Sequence, residues 1–430
     1  MSTPQLSNYF QARQPSSVRV AQLEFSKRTD GIKAIDTAIG NVSLPMHPLM
    51  IERLSRLSSF FKDGVVRYTP TIGLKEANQA VLNIISCLGV DTKNIYSQIT
   101  DGGSAAMEMA IIGVCDPGKD QKPLLLIEPI YPNYLALAKR TGRNTVTITR
   151  TLLENDQFTL PDLKEIEQKI LKTNPAALVV IPYDNPTGQF YNQQALIKLA
   201  KLCVKHGLWM ISDEAYRELV YTAEPASSVW KITEQEVPGI TGRRISIESA
   251  SKVWNACGIR VGALVTDNQQ FHEKGLAEYT SNLTAPALGQ CLFAALAQES
   301  KESLQKWYEQ QRAYYSHNLK QVAKMLKSQL PELIVSSPDA AIYFVVDVRK
   351  IDPHFDSKDF VLYCSSRGQI NLDGEEATLL VAPMNGFYSA KENNPGKTQM
   401  RIAYVQSPEQ MRKVPELFVS LLKQYLEKRK

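Results

Sequence analysis

Lys252 lies in SASKVWNACGIRVGALV, residues 249–265, where an apolar, strand-like run ends at Ser249 and a second cation, Arg260, follows. A lysine drawn partly out of water loses some of its preference for the charged form and becomes a nucleophilic amine. Ser249 and Arg260 flank it with a hydroxyl and a guanidinium fork, donors that suit a phosphate. Glycines at 258 and 262 are expected to let backbone come close there. A second cluster, DEAY at 213–216, sets Asp213 directly after the apolar run LWMIS. A carboxylate at a buried strand end is costly unless a cation meets it. Asp213 is therefore expected to face a protonated ring nitrogen or similar group, with the Tyr216 hydroxyl on the same ligand. A third cluster, DNPTG at 184–188, follows VVIPY in a turn and aims the Asn185 amide at a ligand. In TDGGSA, 100–105, glycines open a helix whose first amides can face an anion, with the helix dipole behind them. Tyr131, in EPIYPNY after another apolar run, offers a ring that can stack.

Each stretch alone also has an ordinary reading: a turn, a helix cap, a solvated lysine. Together they describe one ligand that carries a phosphate, a basic aromatic nitrogen and an aldehyde able to form an imine with Lys252. Pyridoxal 5'-phosphate fits all three.

These clusters need a frame that gathers strand ends. Near-continuous apolar runs at 124–129, 144–150, 177–183, 208–213, 243–249 and 260–266 read as strands buried on both faces of a mainly parallel sheet. Helical patterns at 104–115, 160–173 and 193–207 alternate with them, which makes an α/β domain. In such sheets ligands sit beyond the C-terminal strand ends, where the clusters fall. A long helix from about 301 to 330, strands at 341–348 and 399–405 and a final helix from about 408 read as a smaller α+β domain. The Gly-, Asn- and Pro-rich stretch 385–398 is expected on the surface. With 430 residues, two domains are expected rather than one.

Composition narrows the function. Hydrophobic content of 43% and charged content of 22% are those of a globular protein, and no apolar run is long enough to span a membrane. The polar opening MSTPQLSNYFQARQ lacks the apolar core of a secretion signal. The net charge of +5 is spread through helical stretches with no nucleic-acid motif, so neither nucleic acid nor membrane is expected as a partner. Six cysteines without a CxxC pair read as buried thiols of a reducing cytoplasm. Five scattered histidines lack metal-ligand spacing, and no metal site is expected.

NPTG, DEAY and the SASK-to-GIRVG stretch resemble the class I/II aminotransferases, fold-type I enzymes that use pyridoxal phosphate. The resemblance runs from about Gly40 to Arg401. It implies a large domain with a mainly parallel seven-stranded sheet flanked by helices, and a smaller α+β domain formed by both termini. The boundaries expected are 1–49 for the N-terminal arm and part of the small domain, 50–310 for the large domain and 311–430 for the C-terminal small domain. By resemblance, Lys252 carries the cofactor, and Arg260, Ser249, Gly103 and Ser104 bind its phosphate. Asn185 and Tyr216 bond the ring hydroxyl, Asp213 pairs with the ring nitrogen, and Tyr131 stacks. Tyr68, in YTPTIG, reaches the partner subunit's phosphate in a homodimer with the site at its interface. Arg401 and Gly40 take the substrate carboxylate, Asn185 also belongs to the substrate-binding set, and Lys252, Asp213 and Tyr216 are the catalytic residues. One subgroup places an arginine for the substrate's side-chain carboxylate near 278–286, supplied by the neighbouring subunit. EYTSNLTAP has none there.

The resemblance implies ping-pong transfer of an amino group between an L-amino acid and a 2-oxo acid, with 2-oxoglutarate, aspartate or another common amino acid as partner. A lyase or cyclase of the same fold is the alternative. A cofactor-binding regulatory module is a remote one, since residues before Gly40 are too few for a DNA-binding domain.

Overall fold

The computed structural model describes residues 3–429. Strand β1 covers Lys33–Asp36. Strands β2 (Tyr96–Asp101), β3 (Leu124–Glu128), β4 (Thr145–Thr149), β5 (Ala177–Val180), β6 (Trp209–Asp213), β7 (Arg244–Ser249) and β8 (Val261–Thr266) form one seven-stranded sheet. Its order is β2-β8-β7-β6-β5-β3-β4. Neighbours from β7 through β4 run parallel, while β8 is antiparallel to both β2 and β7. Every residue of β3, β5 and β8 is buried, as their unbroken apolar sequences require with helices covering both faces. The helices Gly102–Val114, Leu163–Thr173 and Gln193–His206 stand where their periodicity put them.

Strand β2 is absent from the apolar runs of the sequence. Tyr-Ser-Gln-Ile-Thr-Asp carries no such run, yet Ser97, Gln98 and Thr100 are buried because β2 lies against β8 and beneath helices. Tertiary position overrides composition at this edge.

The rest of the chain builds two small sheets. Strands β9 (Ile334–Val335) and β10 (Tyr343–Asp347) are followed by β11 (Ile370–Leu372), β12 (Glu375–Leu380), β13 (Ala382–Pro383) and β14 (Gln399–Ala403). One sheet orders β13-β14-β10-β9; in the other, N-terminal β1 runs parallel to β12, and β12 antiparallel to β11. Both ends of the chain thus meet in one layer, against the helices Lys301–Gln329 and Pro408–Glu427. The 385–398 stretch departs from expectation. Phe387 and Tyr388 are buried, and only part of the stretch, notably 389–393, is exposed. Its two aromatics turn inward because burying them outweighs the surface preference of the surrounding Gly, Asn and Pro. Phe387 lies under Arg401, with 5.3 Å between guanidinium carbon and ring centre.

Candidate active site

The C-terminal ends of β5, β6 and β7, the start of the helix Gly102–Val114 and the carboxyl end of β1 open onto one cleft of about 630 Å³. Lys252, Asp213, Tyr216, Asn185, Tyr131, Gly103, Ser104, Ser249, Arg260, Gly40 and Arg401 all line it. Tyr68 alone among the expected residues does not; it stands 80% exposed on the outside of the chain.

The anion side of the cleft is built from backbone. Asp101 caps the helix Gly102–Val114 without a side-chain bond, so the first amides are left free. Gly102 has φ of +74°, and a Cβ there would lie 2.2 Å from Arg260 Nη2. The guanidinium therefore sits directly over the helix start. Gly262 explains how β8 comes so near: a Cβ on it would meet the Gly102 carbonyl carbon and the Gly103 nitrogen, each at 2.4 Å. Gly258 does not share this role, because a Cβ there would meet nothing within 4 Å. The expectation of close approach holds for one glycine of the pair only. Ser249 Oγ donates to Ser251 Oγ at 2.8 Å, so two hydroxyls stand beside Arg260 at this end.

At the floor, Asp213 forms no ion pair among the described residues. Its Oδ1 accepts the Ala215 N–H at 3.0 Å, and its Oδ2 accepts the hydroxyl of Tyr134. Burial pushes its carboxyl above the ordinary range, against the pull of the Tyr134 and Ala215 bonds. Lys252 Nζ donates to the Gly40 carbonyl. Tyr216 is buried, shares a 2.8 Å hydroxyl contact with Tyr343 and takes a 3.4 Å bond from the Asn185 amide. Burial first, and Tyr343 second, hold its phenol well above its usual range, so it remains a hydroxyl donor. The Tyr131 ring meets that of Tyr134 edge-on at 5.8 Å, and its hydroxyl accepts from Asn133 Nδ2 at 2.9 Å. Burial pushes the Tyr131 phenol up to about 12.

Arg401 enters from β14. It is 2% exposed, donates to Asn185 Oδ1 at 2.8 Å and to the Ala38 carbonyl at 2.6 Å, and has no partner for Nε. The Tyr343 ring lies 4.3 Å beneath its guanidinium carbon. Asn185 is held in turn by its neighbour: Asp184 pairs with buried Arg150 at 2.8 Å and accepts the Thr187 hydroxyl. Sequence reasoning missed Tyr134, Tyr343 and Arg150. Tyr134 had a signal in the second tyrosine of EPIYPNY, but Tyr343 and Arg150 come from strand-like stretches that read as plain core.

The residues present fit pyridoxal phosphate. Free helix amides, Arg260 and two hydroxyls suit its phosphate. The unpaired carboxylate of Asp213 wants a cation such as a protonated ring nitrogen, and the amine of Lys252 wants a carbonyl.

Comparison with known proteins bears on this. The family model for aminotransferase class I and II matches residues 39–415. An aspartate aminotransferase of Pinus pinaster is 26% identical over 341 residues, 76% of this chain and 64% of the relative. The cystathionine beta-lyase PatB of Bacillus subtilis is 23% identical over 248 residues, 57% of this chain and 61% of the relative. The chain thus spans under two thirds of the length of either. The N-succinyldiaminopimelate aminotransferase of Mycobacterium tuberculosis superposes with a TM-score of 0.80 at 19% identity, covering 97% of this chain and all of that one. Its likeness is one of fold. Members of the matched family use pyridoxal 5'-phosphate. With a model match over most of its length and a cleft that fits the family's cofactor, the chain belongs to the class I and II aminotransferases.

Proposed function

We propose that the protein is a pyridoxal-phosphate-dependent aminotransferase that moves an amino group between an L-amino acid and a 2-oxo acid. One observation carries this: the Lys252 amine, the unpaired Asp213 carboxylate and the Arg401 fork all face the same cleft. Gly103, Ser104, Ser249 and Arg260 would hold the cofactor's phosphate. Asn185 and Tyr216 would bond its ring hydroxyl, Asp213 its ring nitrogen, and Tyr131 would cover a face. Bound there, the cofactor supplies an aldehyde for the substrate amine and a cationic ring that draws electron density from Cα.

The chain does the rest. Arg401 grips the substrate α-carboxylate by two parallel bonds, with Gly40 beside it, and so fixes the direction of the Cα–H bond. Lys252 Nζ takes the Cα proton and gives it back. Asp213 keeps a positive charge where electron density must collect. The first product leaves before the second substrate enters, which is ping-pong order.

A homodimer belongs to this reading. Ile51, Leu54, Phe60, Val65, Val66 and Leu288 are exposed apolar side chains on neighbouring segments, and Tyr68 stands among them. Exposed apolar side chains gathered in this way favour a covering partner. A second copy would cover them and carry Tyr68 to the neighbour's phosphate. A cytoplasmic location also belongs to it, supported by four buried cysteines that pack as unpaired thiols.

The likeness to a protein named as a cystathionine beta-lyase supports a second reading, elimination in the same cleft. Purified protein with cofactor, offered amino acids with 2-oxoglutarate, decides between them. Transfer is expected as glutamate formed at the rate that the donor's 2-oxo acid appears. Release of ammonia or thiol without glutamate would put the lyase reading in its place.

A further inference from the structure

Four cationic side chains line the cleft: Arg19, Lys252, Arg260 and Arg401. The proposed reaction employs the last three and leaves Arg19 without work. Its guanidinium donates to Gln22 Oε1 at 3.1 Å and enters no ion pair within 4.0 Å among the described residues. The segment that carries it is anchored. Val18 and Ala21 are buried, the helix Val20–Phe25 packs on the helix Ser357–Ser366, and Arg28 donates to the Gly368 carbonyl at 2.9 Å. Arg19 is thus an exposed cation fixed at the cleft mouth, whereas Arg401 is 2% exposed at its floor.

Tyr131 lines the same cleft as Arg401 and Arg19. The remaining acid near the mouth, Asp36, uses its Oδ1 on the Ala38 N–H at 3.0 Å, and burial raises its carboxyl. Arg19 pulls against that rise less than the backbone bonds of Ala38 and Ile39 do, and it forms no ion pair with Asp36 within 4.0 Å. Val18, Ile39 and Val405 line the same cleft and give its wall an apolar part. A substrate held at its α-carboxylate by Arg401 leads its side chain along that wall toward the mouth.

Resting on the aminotransferase reading, we infer that Arg19, steadied by Gln22, receives the second carboxylate of a dicarboxylic amino acid or its 2-oxo acid. The substrate class is therefore acidic, and the receptor comes from the chain's own N-terminal segment. This answers the missing arginine in 278–286.

The test separates binding from turnover. Calorimetry on the cofactor-loaded protein compares succinate with butyrate, which match in length and differ by one carboxylate. Wild type is expected to bind succinate at least about tenfold more tightly, and Arg19→Ala to remove that preference, with Arg19→Lys recovering part of it. In turnover, Arg19→Ala should raise KM for aspartate or glutamate about tenfold and leave alanine within about twofold. No preference in wild type, or a preference that survives in Arg19→Ala, overturns the inference. If the succinate preference depends on Arg19 and no amino acid is transaminated, the subsite stands and the proposed activity falls.

Discussion

The floor and the mouth of the cleft are built differently. At the floor, Arg401, Tyr216, Asn185 and Tyr343 are buried and already bonded to one another. At the mouth, Arg19 is exposed, and outside the cleft Tyr68 points away from its own chain altogether. Groups that must hold a reacting atom in place gain from being fixed beforehand by neighbours that cannot move. Groups proposed to choose among substrates, or to meet a second copy of the chain, would have their partners supplied later. Substitutions at the floor should therefore strike turnover, and those at the mouth should shift selectivity.

The largest effect is expected at Lys252. Lys252→Ala removes the base and should lower kcat by about two to four orders of magnitude, while absorbance still reports bound cofactor. Wild-type turnover in that variant would break the comparison at its centre. Arg401→Ala comes next. It removes two bonds and leaves Asn185 Oδ1 and the Ala38 carbonyl without their donor. Its kcat/KM should fall by an amount worth about 2–5 kcal/mol, with KM carrying much of the change. A loss no greater than that of an exposed arginine would mean that Arg401 only packs.

Asp213 sharpens the comparison because it opposes stability and activity. Burial raises its carboxyl, so the folded state disfavours the charged form. Such a group favours folding below its unfolded value of about 3.9. That advantage is lost as pH rises through the folded value, and at neutral pH the charge stands as a cost. Asp213→Asn should therefore lower kcat by about 10²–10³-fold. The same variant should stabilise the cofactor-free protein by about 0.5–2 kcal/mol at neutral pH. The gain should vanish in acid, where wild type is neutral at this position too. Thermal melts across pH would check it, and a variant less stable than wild type at pH 7 would refute the cost assigned to the carboxylate.

The same division decides how much could be read from sequence. Strand ends were legible because β3, β5 and β8 bury every residue, and unbroken apolar runs announce it. Asp213 at the end of β6 and Asn185 beyond the end of β5 stood out as polar chemistry in a costly place. The supports were illegible for the opposite reason. Tyr343 and Arg150 belong to strand-like stretches where a tyrosine or arginine raises no alarm, and their partners lie 127 and 34 positions away. β2 hid because its buried residues are polar. Arg19 hid because one arginine in a polar opening has no pattern around it.

Gly258 and Gly262 carry the division down to a single methyl group. Both flank Arg260, and sequence alone treats them alike. Gly262 is buried at the floor, where a Cβ would run into backbone of Gly102 and Gly103 at 2.4 Å. Backbone cannot swing aside as a side chain can, so Gly262→Ala must push β8 off the helix start. It should cost about 1–3 kcal/mol and weaken phosphate binding, because Arg260 moves with the strand. Gly258 is exposed, its added methyl would meet nothing within 4 Å, and its φ is not in the left-handed range. Gly258→Ala should change stability by no more than about 0.5 kcal/mol. Denaturant melts of the two variants read this difference directly. Equal losses in both would mean that the loop, not the close approach of β8 to the helix, fixes the anion side of the cleft.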